Sequence, residues 1–317
     1  MQYMRGIELS RKYFEEFGLP MLEHDFPHLM SFLSVGFVGS GSEHFGFDDE
    51  ISHDHDFEPG FCIFLPEEDI ISRRDAFLLE RAYAKLPKEY CGVKRLPISP
   101  AGGNRNGVFR TSEFYSSAVG VSNGALDTYA WLHIPDYALS EATNGEVFFD
   151  NYGEFTEIRS RLLSMPEDIR LKRLAGNLLL MEQAGQYNFM RCVRHNEPNA
   201  ARLACYEFVT AALKVFFLLN HKYMPFYKWC FRALRQIENG DEFEQRLSIL
   251  LHADCCDLSS AAQQAEIIES IASYVIQILH NNELTDAKSA DLEAHAYSVN
   301  SRIIDNEIRN LHILTAV

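Results

Sequence analysis

Between Lys12 and Arg73 this 317-residue chain has no lysine or arginine, while acidic residues accumulate across the same stretch. Residues 1–155 hold 12 Lys and Arg against 25 Asp and Glu, and residues 156–317 hold 17 against 20, so most of the net charge of −16 sits in the first half. A phosphate-rich polymer is a poor partner for such a surface, which disfavours nucleic acid. No run of eighteen apolar residues exists, and the richest segment, AALKVFFLLN, is interrupted by a lysine, so no membrane span is expected. The N-terminus lacks a basic region followed by an apolar run, so no secretory signal is expected. The seven cysteines include an adjacent Cys255-Cys256 but no paired CxxC sets. That disfavours a disulfide framework or a structural zinc site and favours reduced thiols in a cytoplasm. Repeats, low-complexity tracts and long linkers are also missing.

What is present divides in two. With 47% hydrophobic and 23% charged residues, the composition is that of an ordinary globular protein. In the first half, SFLSVGFVG and FEPGFCIFLP read as strands, and RNGVFR, SNGA and TNGEVFF each place Asn-Gly beside a possible strand, as hairpin turns do. Segment 72–90 has a helical period. From about residue 156 the pattern is helical throughout: one long stretch to the break at NEP, then a helix opened by Pro198, then 225–238, 242–252, 259–281 and 287–312. The fold class is therefore α+β, with a mixed-sheet domain over 1–155 and an all-α helical bundle over 156–317.

The chemistry concentrates in Gly39–Phe57, GSGSEHFGFDDEISHDHDF. Gly39-Ser40-Gly41-Ser42 follows a strand-like run, so it should form a turn whose exposed N–H groups and hydroxyls can cradle phosphate oxygens. If 53–57 is extended, Asp54 and Asp56 share one face and His53, His55 and Phe57 the other. Two adjacent carboxylates suit a hard divalent cation such as Mg²⁺. Donor turn and carboxylate pair together make a nucleoside triphosphate site, with a two-ion arrangement as the model for phosphoryl transfer. No GK[ST] closes the loop, which excludes a P-loop. An HD-type hydrolase sets its ligands on helices, and Pro59-Gly60 argues against a helix here. Asp48 and Asp49 read as loop carboxylates, and a solvated acidic face is the plain alternative for the whole cluster.

A Gly-Ser turn followed by Asp-x-Asp resembles the signature of the polymerase-β-like nucleotidyltransferases. The longer form, with GEVFFDNYGEFTEIR, QAGQYNFMR and LLNHKYMPFYKWCFRAL in order, resembles a bacterial subfamily of them known as a domain of unknown function. The resemblance runs from about residue 5 to 240. It implies a polymerase-β-like first domain and a helical C-terminal domain like that of the aminoglycoside nucleotidyltransferases, which closes the nucleotide cleft. It also implies a third carboxylate, for which Asp150 at the end of GEVFFD is the choice, as metal ligand or as general base toward an acceptor hydroxyl. A turn or cap aspartate is the other reading of Asp150.

In the helical half, Gln183, Tyr187 and Arg191 are spaced along one helix face, and Glu207 and Lys214 share another on an otherwise apolar helix. Arg191, Lys214 and Lys228 are candidates for triphosphate oxygens, and Tyr187 and Tyr227 for stacking on a base. Structural ion pairs, surface lysines and core tyrosines are the bland readings of the same residues. Arg246 and His252 match the loose arginine–histidine spacing of the helical RNases that antitoxin nucleotidyltransferases modify, a weak signal. The resulting expectation is a cytoplasmic, Mg²⁺-dependent enzyme that moves a nucleoside monophosphate, from ATP first, to a hydroxyl of a small-molecule acceptor and releases pyrophosphate. A protein acceptor or a silent nucleotide-binding regulator are the alternatives, and a homo-oligomer is left open.

Overall fold

The computed structural model describes residues 4–53, 57–95, 105–253 and 258–317. Its strands are β1 Ser34–Phe37, β2 Cys62–Leu65, β3 Glu89–Tyr90, β4 Val93–Lys94, β5 Gly107–Arg110 and β6 Glu146–Asp150. Its helices are α1 Gly6–Tyr13, α2 Leu19–Asp25, α3 Arg73–Tyr83, α4 Thr111–Val119, α5 Thr128–His133, α6 Asp136–Thr143, α7 Glu154–Leu163, α8 Glu167–Met181, α9 Met190–Arg194, α10 Pro198–Leu219, α11 Cys230–Leu234, α12 Gly240–His252, α13 Leu258–Asn281, α14 Leu292–Ser301 and α15 Asn306–Asn310. A mixed sheet with many helices bears out the α+β class at that coarse level.

Contacts divide the chain into two compact units, Met1–Leu126 with Tyr137–Ser164, and Asp127–Asp136 with Met165–Val317. The first holds a four-stranded sheet in the order β5-β2-β1-β6. Strand β1 runs antiparallel to both neighbours, and β2 pairs in parallel with β5. Both central strands are buried along their whole length, which is why SVGF and CIFL read as unbroken apolar runs rather than alternating ones. Aromatic rings fill the faces of the sheet. Phe61 meets Phe14 and Tyr83 edge-on at 5.1 and 5.0 Å, and Phe64 stacks on Phe155 at 4.2 Å. Gly36 admits β6 closely, since a Cβ there would stand 2.6 Å from the Glu146 carbonyl oxygen.

The Asn-Gly signals mark turns, but none of the three closes a hairpin. Gly107 opens β5, whose partner β2 is parallel; the turn at Asn123-Gly124 lies between α4 and α5; and Asn144-Gly145 joins α6 to β6. Each is a helix or loop boundary, where Gly107, Gly124 and Gly145 supply the positive φ that lets the chain reverse. The hairpin that does form, β3–β4, turns at Cys91-Gly92 and lies partly within the segment read as helical to residue 90. Helix α3 stops at Tyr83.

In the second unit, α8 is buried on almost every face and packs against α10 and α14. Pro198 opens α10 as expected. The long helical stretch before NEP is interrupted by a π-helical segment, Glu182–Phe189, between α8 and α9. Lys172, fully buried, donates to Asn300 Oδ1 at 3.0 Å and to the carbonyls of Arg309 and Leu311 at 3.3 and 2.6 Å, binding the C-terminal segment to α8. Among the described residues no helix is long and apolar enough to cross a membrane.

Candidate functional site

The end of β1 leads directly into the glycine turn. Gly39 and Gly41 have φ of +124° and +128°, a conformation that side chains rarely tolerate. Asn144 fixes the turn's entry: the Gly39 N–H donates to Asn144 Oδ1 at 2.9 Å, and Asn144 Nδ2 donates to the Gly39 carbonyl at 2.7 Å. Arg159 in turn donates to the carbonyls of Asn144 and Gly145 at 2.6 and 3.4 Å. Among the described residues, none accepts from the backbone N–H of Ser40, Gly41 or Ser42. The turn thus carries three successive N–H groups without an acceptor among the described residues, the kind of donor set an anion can use.

Behind the turn, a 3₁₀ segment, Ser42–Phe45, folds Glu43 back beneath Gly41. The Ser42 hydroxyl donates to Glu43 Oε2 at 3.3 Å, and Arg105 Nη1 approaches Glu43 Oε1 to 3.4 Å. Burial pushes the Glu43 carboxyl above the usual carboxylate range, against the opposing pull of Arg105. His44 is stacked on Phe37 at 4.1 Å, and burial, reinforced by Arg105, lowers its pKa to about 3, so it is neutral at physiological pH. Asp48 is buried and accepts from the Gly6 N–H at 2.8 Å, capping α1, while Asp49 accepts from Ile51 N–H and Ser52 N–H, both at 3.1 Å. Both acids hold local structure.

The carboxylate pair assigned from sequence, Asp54 and Asp56, lies outside the described residues. Among the described residues no group of three or more His, Cys, Asp or Glu is placed to hold a metal. Asp150 stands opposite Ser34, at the start of β1, whereas the glycine turn follows the other end of that strand, where Glu146 is opposite Phe37. Its oxygens accept from the Ser34 hydroxyl at 2.6 Å, from Gly153 N–H at 2.7 Å and from Thr156 N–H at 2.7 Å. Burial alone would raise its pKa, but these bonds together hold it below the usual range. Asp150 therefore caps the start of α7 from the sheet.

In the second unit, Gln183, Tyr187 and Arg191 are all exposed, and the Arg191 guanidinium lies 4.8 Å from the Tyr187 ring centroid. Glu207 is exposed too, whereas Lys214 is half-buried and carries an attractive interaction with Asp136. Asp136 pairs with Arg173 at 3.0 Å, both almost fully buried. Lys228 is exposed with its ammonium 5.0 Å from the Trp229 ring, and Tyr227 is 73% exposed. Arg246 is bonded to Glu242 and Ser270, and His252 Nδ1 lies 2.7 Å from the Ser248 carbonyl, so each is engaged on its own helix or the next.

Reasoning from the sequence passed over Glu43, Arg105 and Asn144. Glu43 stood within the quoted motif and could have been noticed there; Arg105 and Asn144 fall in the turn signals RNGVFR and TNGEVFF, which mark a chain reversal and carry no sign of a site. A groove in the first unit lies elsewhere, between α2 and α3, lined by Met21, Phe26, Leu78 and Leu86 with Arg81 and Lys85. It shares no residue with the glycine turn, and the turn's unused donors make it the better candidate site.

Comparison with known proteins adds one match. Residues 131–230, less than half of the chain, match the model of a family described as a domain of unknown function (DUF4037). No curated protein and no solved structure matches the chain.

Proposed function

We propose that the chain is a Mg²⁺-dependent nucleotidyltransferase that moves a nucleoside monophosphate, from ATP first, to a hydroxyl of a small-molecule acceptor with release of pyrophosphate. The observation that carries this reading is the turn Gly39–Ser42, whose Ser40, Gly41 and Ser42 N–H groups have no acceptor among the described residues. The Asp-His-Asp of residues 54–56, a dozen positions further along the chain, supplies the second half of the argument.

In this reading the turn binds the β- and γ-phosphates through backbone N–H groups and the hydroxyls of Ser40 and Ser42. Asp54 and Asp56 hold Mg²⁺, which when bound neutralises the phosphates. Catalysis is then positioning and charge compensation, as phosphoryl transfer requires. Tyr187, Arg191, Lys214 and Lys228 are assigned to the nucleotide through the family resemblance. Asp150 is assigned to the acceptor hydroxyl on the same ground, and its bonds to Ser34, Gly153 and Thr156 make it a test case for that assignment.

The experiment is incubation with Mg²⁺ and each labelled nucleoside triphosphate, alone and with cell extract. A labelled small molecule supports the proposed reaction. A labelled protein points to a protein acceptor, and binding without transfer to a regulator. Absence of any nucleotide binding in the presence of Mg²⁺ contradicts the reading.

A further inference from the structure

We propose that Arg105 is a phosphate-binding residue of the glycine turn, and that in the nucleotide-free protein the Glu43 carboxylate takes the phosphate's place. This rests on the nucleotide reading above and extends it to two residues outside the turn.

The geometry around Glu43 is that of an internal anion. A Cβ built on Gly41 would stand 2.3 Å from Glu43 Oε1 and 2.6 Å from both Cδ and Oε2, so the carboxyl group is folded against the turn's backbone where a glycine alone permits it. Ser42 donates to it from the turn itself, Arg105 and the neutral His44 ring approach Oε1 to 3.4 and 3.5 Å, and the nearby Asp48 carboxylate repels its charge. A serine hydroxyl and an arginine guanidinium on a glycine-rich backbone are the donors that hold a phosphate group.

The hold on Glu43 is loose. The Arg105 contact of 3.4 Å and the Ser42 contact of 3.3 Å are longer than the roughly 2.7–2.9 Å of a strong charge-assisted bond. The carboxylate is also in a place that disfavours its charge: burial raises its pKa despite Arg105. A triphosphate brings several charged oxygens, offers a two-point fit to the guanidinium and supplies acceptors for the idle N–H groups of Ser40, Gly41 and Ser42. A single carboxylate satisfies none of those three. Arg105 keeps 31% of its side chain exposed, so an arriving anion can reach it without opening the sheet.

The test is titration calorimetry with Mg²⁺–ATP and, separately, inorganic tripolyphosphate, on the wild-type chain and on Glu43→Gln, Arg105→Gln and Arg105→Lys. Glu43→Gln keeps the shape and removes the competing charge, so both probes should bind about tenfold more tightly, a change of about 1.4 kcal/mol. Arg105→Gln should weaken both about tenfold or more, with partial recovery in Arg105→Lys. As pH falls, the ratio between Glu43→Gln and wild type should shrink, because protonation neutralises Glu43 in the wild-type chain. Thermal melts run alongside identify a variant that fails to fold; should Arg105→Gln do so, the Glu43→Gln ratio decides alone. Wild-type binding that Glu43→Gln leaves unchanged overturns the exchange and leaves the nucleotide reading standing. Failure of both wild type and Glu43→Gln to bind either probe overturns the nucleotide reading, and this proposal with it.

Discussion

Asn144 clasps Gly39 across 105 residues of sequence, accepting from its N–H and donating to its carbonyl with the two ends of one side-chain amide. The pairing imitates a strand bridge at the point where β1 gives way to the turn. Replacing Asn144 with Ala removes both bonds and leaves a half-buried peptide unit in need of water. The expected loss is about 1–3 kcal/mol. Because the turn's entry is then unpinned, nucleotide binding should weaken by more than global stability does, a difference visible when calorimetric affinity is compared with a denaturation midpoint.

Gly41 is the stricter of the two turn glycines. At φ +128° and ψ 151° it occupies a region that residues with a side chain avoid, and a Cβ would collide with the Glu43 carboxyl group. Gly41→Ala should cost about 1–3 kcal/mol by chemical denaturation. Gly46→Ala is a fair comparison, since nothing stands within 4 Å of its Cβ position although its φ is also positive. The Gly41 variant should be the worse of the two.

Asp150→Asn separates two roles. An amide keeps one acceptor but turns its NH₂ group either toward Ser34 and Gly153, which share Oδ1, or toward Thr156, which donates to Oδ2, so the variant should lose about 2 kcal/mol. The folded carboxylate titrates below its usual 3.8, so its contribution is present above that value and is lost as pH falls through the lower, folded one. The gap in stability between wild type and variant should therefore close below about pH 3.8. Loss of stability with nucleotide transfer retained marks Asp150 as a capping residue; loss of transfer in a fully folded variant marks it as a reacting group.

Lys172→Met tests what holds the C-terminal segment. The substitution fits the apolar stem but strands the Asn300 and Leu311 acceptors that the ammonium satisfies and leaves the Arg309 carbonyl only its bond from Asn300 Nδ2. A destabilisation of about 3 kcal/mol is expected. Hydrogen exchange should show residues 300–317 losing protection first, whereas equal loss throughout the chain would contradict a local clasp.

What could be read from the sequence follows from how local each signal was. Helix α10 was legible because Pro198 marks its first turn and a long apolar face continues it. Strands β1 and β2 were legible as apolar runs, and the glycine turn between them as a conformational necessity. Pairing was not: GVFR joins β2 in parallel across more than forty residues, and nothing in Asn106-Gly107 distinguishes that from a hairpin. The α8 stretch has a uniform helical pattern, so the π-helical segment at Glu182–Phe189 left no mark on the spacing. Tyr187 and Arg191 still meet, because cation and ring lie one turn apart. Arg105 and Asn144 reach the site only through tertiary contacts, so no window of sequence could nominate them.

The central claim is that the Gly39–Ser42 turn and the Asp54/Asp56 pair form one nucleotide-transfer site. Its most direct measurement is transfer of label from α-labelled ATP with Mg²⁺, in cell extract, by wild type and by the Asp54→Ala, Asp56→Ala double variant. The account predicts a labelled acceptor with the wild-type chain and no labelling with the double variant, whose circular dichroism and melting profile stay those of a folded protein. Undiminished labelling by the double variant would contradict it.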